Sequence, residues 1–307
     1  MPILLNQNKN NYIKTLKKQI KPYFNDHILN IYRGARRKEE NIISFINYLR
    51  FRNNYNYHTV FIAAGCRTAS TWLAEILSYL LTGFKFYHPK SFPEVESGYD
   101  YNVNQRLLTE VTNKLYVIRG HTPPSDSNIN AMSKNFQKYI CTIRDPRDTI
   151  VSIKIHLEKF LEKSSFRDYG LKRDLPWETI KMIEYNSVND QEKINLIIDK
   201  ILPGITNMSE GWINHAEKNN NCLLVRYEDL TSNPLDEVNK IIQHYDFNVA
   251  SHSIKNVIEI LDPRKEDPIF TYFSKGKIGI WKDYLTNIQE QYINTKCTNY
   301  MSKMGYL

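Results

Sequence analysis

The stretch HTVFIAAGCRTASTWLAEIL, residues 58 to 77, restricts what this chain can fold into more than any other. The short apolar run TVFIAAG stops at the polar cluster CRTAST, and apolar residues then return at helical spacing as Trp72, Leu73, Ile76, Leu77, Leu80 and Leu81. Brief continuous apolar runs are how strands of a parallel sheet read, because both their faces are covered. The pattern therefore predicts strand, loop and a helix starting at Trp72, and with it an α/β fold. A helix that opens on such a loop presents free backbone N–H groups and the positive end of its dipole. Ser70 and Thr71 add hydroxyl donors and Arg67 adds a guanidinium, so a phosphate or a group of similar shape fits the turn. An ordinary polar strand-to-helix turn is the competing reading of this stretch by itself.

The loop is not that of a nucleoside triphosphatase, which ends in Gly-Lys-Ser/Thr so that a lysine sits beside the hydroxyl. Here Ala69, Ser70 and Thr71 occupy those places, and the cation, Arg67, lies upstream.

With 307 residues the chain has room for one large α/β domain with decorations. Residues 1–57 carry Ile13, Leu16, Ile20 and later Ile42, Phe45, Ile46, Leu49 at helical spacing and read as a helical extension. The basic cluster Arg33, Arg36, Arg37, Lys38 in it reads as a solvated face. Three further strand-like runs follow, KLYVIRGH (114–121), KYICTIRD (138–145) and CLLVRYED (222–229), separated by helical or irregular stretches. That alternation is the signature of a central parallel sheet flanked by helices. Ligands of such sheets bind at the carboxyl ends of the strands, so RTAST, RGHTPP, RDPRD and RYEDL are expected to converge. Residues 153–220, with Pro176 and the pair Pro203-Gly204 as breakers, read as several short helices forming an insertion or lid beside that site.

Charge and cysteine usage narrow the function classes. A net charge of +8 attracts anions in general, but no zinc-finger, basic-zipper or RNP-type pattern accompanies it, so nucleic acid is not the expected partner. The four cysteines, Cys66, Cys141, Cys222 and Cys297, lie far apart; they form no disulfide framework and no CxxC metal motif, and reduced thiols suit a cytoplasm. No metal-ligand spacing is present. The apolar run at the start is too short for a signal core, and no membrane span is expected because no stretch reaches about eighteen apolar residues. Abundant Asn, Lys, Ile and Tyr point to an AT-rich, bacterial genome.

The third strand ends in RDPRDTIVS, where Asp145-Pro146 makes a turn and Ser152 falls in the early turns of the next helix. Arg144 and Ser152 could share a phosphate; equally, Arg144 could pair with Asp145 or Asp148.

The ordered series CRTASTWL, RGHTPP, YICTIRDPRDTIVS, LLVRYEDLTSNP and FSKGKIGIWKDY, over roughly residues 58 to 286, resembles the sulfotransferases that use 3′-phosphoadenosine 5′-phosphosulfate (PAPS). The resemblance implies a P-loop-NTPase-like sulfotransferase domain over 58–307, with PAPS as donor and adenosine 3′,5′-bisphosphate (PAP) as product. It places Arg67, Thr68, Ala69, Ser70, Thr71 and Trp72 on the 5′-phosphosulfate loop, Arg67 touching the sulfate and Trp72 stacking on adenine. Arg144 and Ser152 fall on the 3′-phosphate motif, Tyr227 near the adenine, and Ser274, Lys275 and Gly276 over the 3′-phosphate, in a pattern that continues through Gly279, Trp281 and Lys282. His121 falls on the family's base position, and Arg119, where a lysine is common, would with Arg67 stabilise charge at the leaving oxygen. A neutral imidazole with an ordinary pKa near 6.5 can take a proton from a hydroxyl or amine at neutral pH.

Three residues depart from the family pattern: Ala69 for a glycine, Ser274 for an arginine and Ile280 for an acidic residue. The expected activity is sulfuryl transfer from PAPS to a hydroxyl or amine of a small molecule, with a specialised metabolite or a saccharide as acceptor. A kinase-like phosphotransferase and a non-catalytic binder of anions or nucleic acid are the rival readings. Oligomeric state is not legible.

Overall fold

A computed structural model of the protein describes residues 42–87, 103, 105–111, 113–161, 180, 182–262, 264 and 277–307. The elements in chain order are β1 (Thr59–Ala64), α1 (Ser70–Leu80), β2 (Lys85–Tyr87), α2 (Gln105–Val111), β3 (Tyr116–Gly120), α3 (Asp126–Asn135), β4 (Tyr139–Ile143) and α4 (Pro146–Leu161). Then follow α5 (Met182–Asn186), α6 (Asp190–Ala216), β5 (Cys222–Arg226), α7 (Tyr227–Ser232), α8 (Pro234–His244), α9 (Ser251–Ile260), α10 (Asn287–Lys296) and α11 (Thr298–Met304). Residues 42–51 are helical, the described part of the expected extension.

The strands pair in the order β2-β3-β1-β4-β5, all parallel. Alternation along β1 explains the layers. Val60, Ile62 and Ala64 pack with Trp72, Leu73, Ile76 and Leu77 of α1 and with α8 and α9. Phe61 and Ala63 face the other way, toward Met132, Phe136 and Trp212. Helices thus cover both faces, as an apolar parallel strand requires. After β1 the chain builds β2 and β3 on one side and then crosses to β4 and β5 on the other. The switch beside β1 opens a crevice at the carboxyl ends of the strands.

Four sequence expectations are corrected. The helix α1 starts at Ser70 rather than Trp72, because Ala69 takes the N-cap position. A fifth strand, β2, is too short at three residues to show periodicity. The run expected as a strand over 222–229 stops at Arg226, and Tyr227 begins α7. In the 153–220 region, α4 continues to Leu161, and α6 is a single helix of 27 residues that passes through Pro203-Gly204. An interior proline costs about 3 kcal/mol and a glycine about 1. The buried stripe Ile194, Ile197, Ile198, Leu202, Ile205, Trp212 and Ile213 outweighs that cost, at roughly 1.5–3 kcal/mol for each large side chain buried. Asn189 and Glu192 close the start of α6 with a reciprocal capping box. Pro176 lies outside the described residues.

Candidate functional site

The loop between β1 and α1 is strained. Arg67 and Ala69 both have φ of 58°, the left-handed region that costs a residue with a Cβ about 1–2 kcal/mol. Ala69, which departs from the family's glycine, nevertheless adopts the conformation a glycine favours. As N-cap it offers no side-chain acceptor to the first turn of α1, so the N–H end of that helix faces the loop without a side-chain cap. Gly65 is required by close approach: its N–H donates to the Thr142 carbonyl at 3.0 Å, and a Cβ there would lie 2.7 Å from that same oxygen. Thr68 ties the loop down from inside, with its hydroxyl 2.9 Å from the Gly65 carbonyl and 2.6 Å from the Thr142 hydroxyl.

Around this loop the strand ends meet. Arg67 Nε donates to Ser152 Oγ at 3.1 Å, and Arg144 Nη1 donates to the Arg67 carbonyl at 3.1 Å. Arg119 Nε donates to Ser70 Oγ at 3.1 Å. Arg144 lies over the Tyr227 ring, 3.8 Å from its centroid. The residues read from four separate strand ends are therefore neighbours. Thr71 is exposed at the start of α1, while Trp72 is 3% exposed and donates from its indole N–H to the Leu261 carbonyl at 2.8 Å, which makes it a core anchor of α1 as well as a candidate wall for a base. Ser274, Lys275 and Gly276 lie outside the described residues.

Three guanidinium groups, of Arg67, Arg119 and Arg144, act together on Cys66. They pull its thiol down, but burial dominates and pushes it up to about 12. Arg67 is held below its ordinary value by burial first, and Arg144 and Arg119 as like charges add to the shift. Arg144 Nε is buried without a hydrogen-bond partner. Its Nη2 lies 3.7 Å from the Asp148 carboxylate. Asp145 instead forms the tight pair with Arg147 at 2.7 Å. Clustered, partly desolvated cations with an unsatisfied donor suit an anion.

Asp148 has a role that sequence reasoning missed. It is fully buried, and its two oxygens accept the backbone N–H groups of Gly279 at 2.8 Å and Trp281 at 3.1 Å. It fastens the late KIGIWK segment to the start of α4, and Arg144 Nη2 donates to the Lys277 carbonyl at 3.2 Å from the same place. Arg147 stacks on Trp281, 4.2 Å from the ring centroid. The clustering of two aspartates with two arginines in RDPRD is the one signal in the sequence, and it does not say which acid pairs with which base.

His121 follows β3 and stands beside the end of β1. Its Nδ1 is 2.9 Å from the Ala64 carbonyl, and its Nε2 is 2.7 Å from Arg119 Nη2. The segment after it is anchored by Trp212, whose indole donates to the Thr122 carbonyl at 2.9 Å. His121, Cys66, Thr68 and Arg144 share a cavity of about 490 Å³, whose far wall is α6, with Lys200, Gly204 and Met208 among its lining residues. Pro123, Ile201 and Ile205 make much of that cavity apolar.

The sulfotransferase domain pattern matches residues 58–305. The chain belongs to the sulfotransferase family. Solved structures share this fold at low identity. One is mouse sulfotransferase SULT7A1 complexed with PAP, at 15% identity and a TM-score of 0.57, with 80% of this chain and 84% of that one covered. Another is retinol dehydratase in a complex with retinol and PAP, at 17% identity and a TM-score of 0.50, covering 83% and 85%. The five-stranded parallel sheet with its flanking helices is the sulfotransferase architecture. Among the described residues, no helix is long and apolar enough to cross a membrane.

Proposed function

We propose that the protein transfers the sulfuryl group of PAPS to a hydroxyl or amine of a small molecule and releases PAP. The observation that carries this reading is the convergence of Arg67, Arg119 and Arg144 on one strained loop next to a cavity that holds His121. The loop suits a phosphosulfate: it combines the uncapped start of α1, two left-handed residues and partly buried cations, and no acidic residue stands between Gly65 and Trp72. PAPS supplies a sulfuryl group on an oxygen that departs with the 5′-phosphate. Arg67 and Ser70 hold that end, and Arg67 stabilises the negative charge that develops on the departing oxygen. Arg144, with Ser152 and the segment carrying Lys275 and Gly276, takes the 3′-phosphate, while Trp72 and Tyr227 border the adenine. His121 accepts the acceptor's proton as its oxygen or nitrogen bonds to sulfur. Such a base contributes about 10²- to 10⁴-fold in rate.

The face of α6 that carries Lys200, Gly204 and Met208 bounds the acceptor pocket. In this reading the apolar cavity wall favours a ring-sized specialised metabolite, and the enzyme works in a cytoplasm, which keeps its free thiols reduced. Incubating the protein with PAPS and a panel of phenols, alcohols and amines, and following PAP release, tests the reaction. His121→Ala is expected to lower kcat by about 10²-fold or more; unchanged turnover in that variant would remove His121 from the mechanism.

A further inference from the structure

The atoms around His121 define its chemical state. The Ala64 carbonyl can only accept a hydrogen bond, so Nδ1, 2.9 Å away, carries the proton. The Arg119 guanidinium can only donate, so Nε2, 2.7 Å from Nη2, offers its lone pair. The imidazole is therefore neutral and in a single tautomer. Its basic nitrogen, however, is covered by the guanidinium of the residue two positions before it. The Nε of that same guanidinium is bound to Ser70 in the loop of α1. Arg119 thus spans from the anion loop to the base.

We propose that Arg119 is the positioning residue of His121: it fixes the Nδ1–H tautomer and caps Nε2 until an acceptor hydroxyl or amine displaces it. The idea rests on the sulfuryl-transfer reading of the same site. When the acceptor enters, its O–H or N–H donates to Nε2 in place of Nη2, and the freed guanidinium, still anchored toward Ser70, turns to the transferring oxygens. The base is exposed only when an acceptor is present. This guards against proton transfer to the wrong group and against wasteful reaction of the donor with water.

The surroundings agree with a base held neutral. The charged and titratable groups that face the cavity with His121, among the described residues, are Arg119 from β3, Cys66 from the loop after β1, Arg144 from the end of β4 and Lys200 from α6. The Arg119 guanidinium disfavours an imidazolium both by charge and by bonding to the neutral form.

The test reads the imidazole directly in the donor-free protein. Nitrogen-resolved NMR titration, with the His121 signal identified by its loss in His121→Gln, is expected to show the Nδ1–H tautomer in the wild type. In Arg119→Met the pKa of His121 is expected to rise by about one unit or more, the size of shift that removing a close like charge produces, and in Arg119→Lys to stay near the wild-type value. The acidic limb of kcat/KM against pH should move with it in Arg119→Met. An Nε2–H tautomer in the wild type, or identical His121 titration in wild type and Arg119→Met, overturns the proposal. Because the titration needs no turnover, it stands apart from the reaction itself: the expected titration without any PAP release from PAPS would sink only the functional reading, whereas turnover with an unshifted titration would sink only the role of Arg119.

Discussion

Replacing Asp148 by Asn tests how the late segment is held over the site. The carboxylate accepts two backbone N–H groups, from Gly279 and Trp281, in a fully buried position. An amide of the same shape has one oxygen, so one of those N–H groups would face an NH2 group and remain unsatisfied. A buried donor left in that state costs about 1–3 kcal/mol. Loss of the negative charge in the first turn of α4 adds roughly 0.3–1 kcal/mol, and Arg144 loses a counter-charge 3.7 Å away. Against this, burial holds the Asp148 carboxyl above its ordinary range, so removing the charge recovers part of a desolvation penalty. The net expectation is a loss of about 2 kcal/mol, because the unsatisfied donor outweighs the recovered desolvation. At roughly 2–4 °C per kcal/mol for a large domain, Tm should fall by about 4–8 °C. Calorimetric melting near neutral pH, with PAP absent, reads this. A variant within about 0.5 kcal/mol of wild type, the usual spread of neutral surface changes, would show that Asp148 does not clamp the segment.

Two further outcomes follow from the geometry. A Cβ on Gly211 would sit 2.3 Å from Pro124 Cγ, so Gly211→Ala should push the segment after His121 off α6, with overpacking of about 1–3 kcal/mol outweighing the helix propensity gained; a lower Tm together with a lower kcat is expected, and a stabilised, fully active variant would refute it. Burial raises the Glu228 carboxyl above its ordinary 4.5, so the folded state binds the extra proton, and this group's contribution to stability falls as pH rises from about that value through the folded pKa. Glu228→Gln can keep both contacts, to the Asp145 N–H and the Tyr306 hydroxyl. Melting curves from about pH 4 to about pH 7 should therefore show the variant gaining on wild type as pH rises; the opposite trend would exclude a raised pKa.

Local sequence is enough to place the parallel sheet and to set most of the candidate site residues at its strand ends. The runs TVFIAA, YVIRG, YICTI and CLLVR are apolar because parallel strands are covered on both faces, and each stops within two residues of a residue of the candidate site: Cys66, His121, Arg144 or Tyr227. Periodicity and turn chemistry carry that information within a few residues. Tertiary contacts decide the rest. Pro203-Gly204 reads as a break, yet the apolar stripe of α6 buries enough surface to carry the helix through it and build the cavity wall. Ala69 takes a left-handed conformation against its own preference, in a loop that Thr68 ties to Gly65 and Thr142. Spacing offers Arg144 two acidic partners; only the fold gives Asp145 to Arg147 and Asp148 to the backbone of Gly279 and Trp281. Family resemblance offers His121 as a candidate base, but the direction of its Nδ1 hydrogen bond depends on a carbonyl in β1, far away along the chain. Residues distant in sequence set hydrogen-bond direction, and no local pattern encodes that.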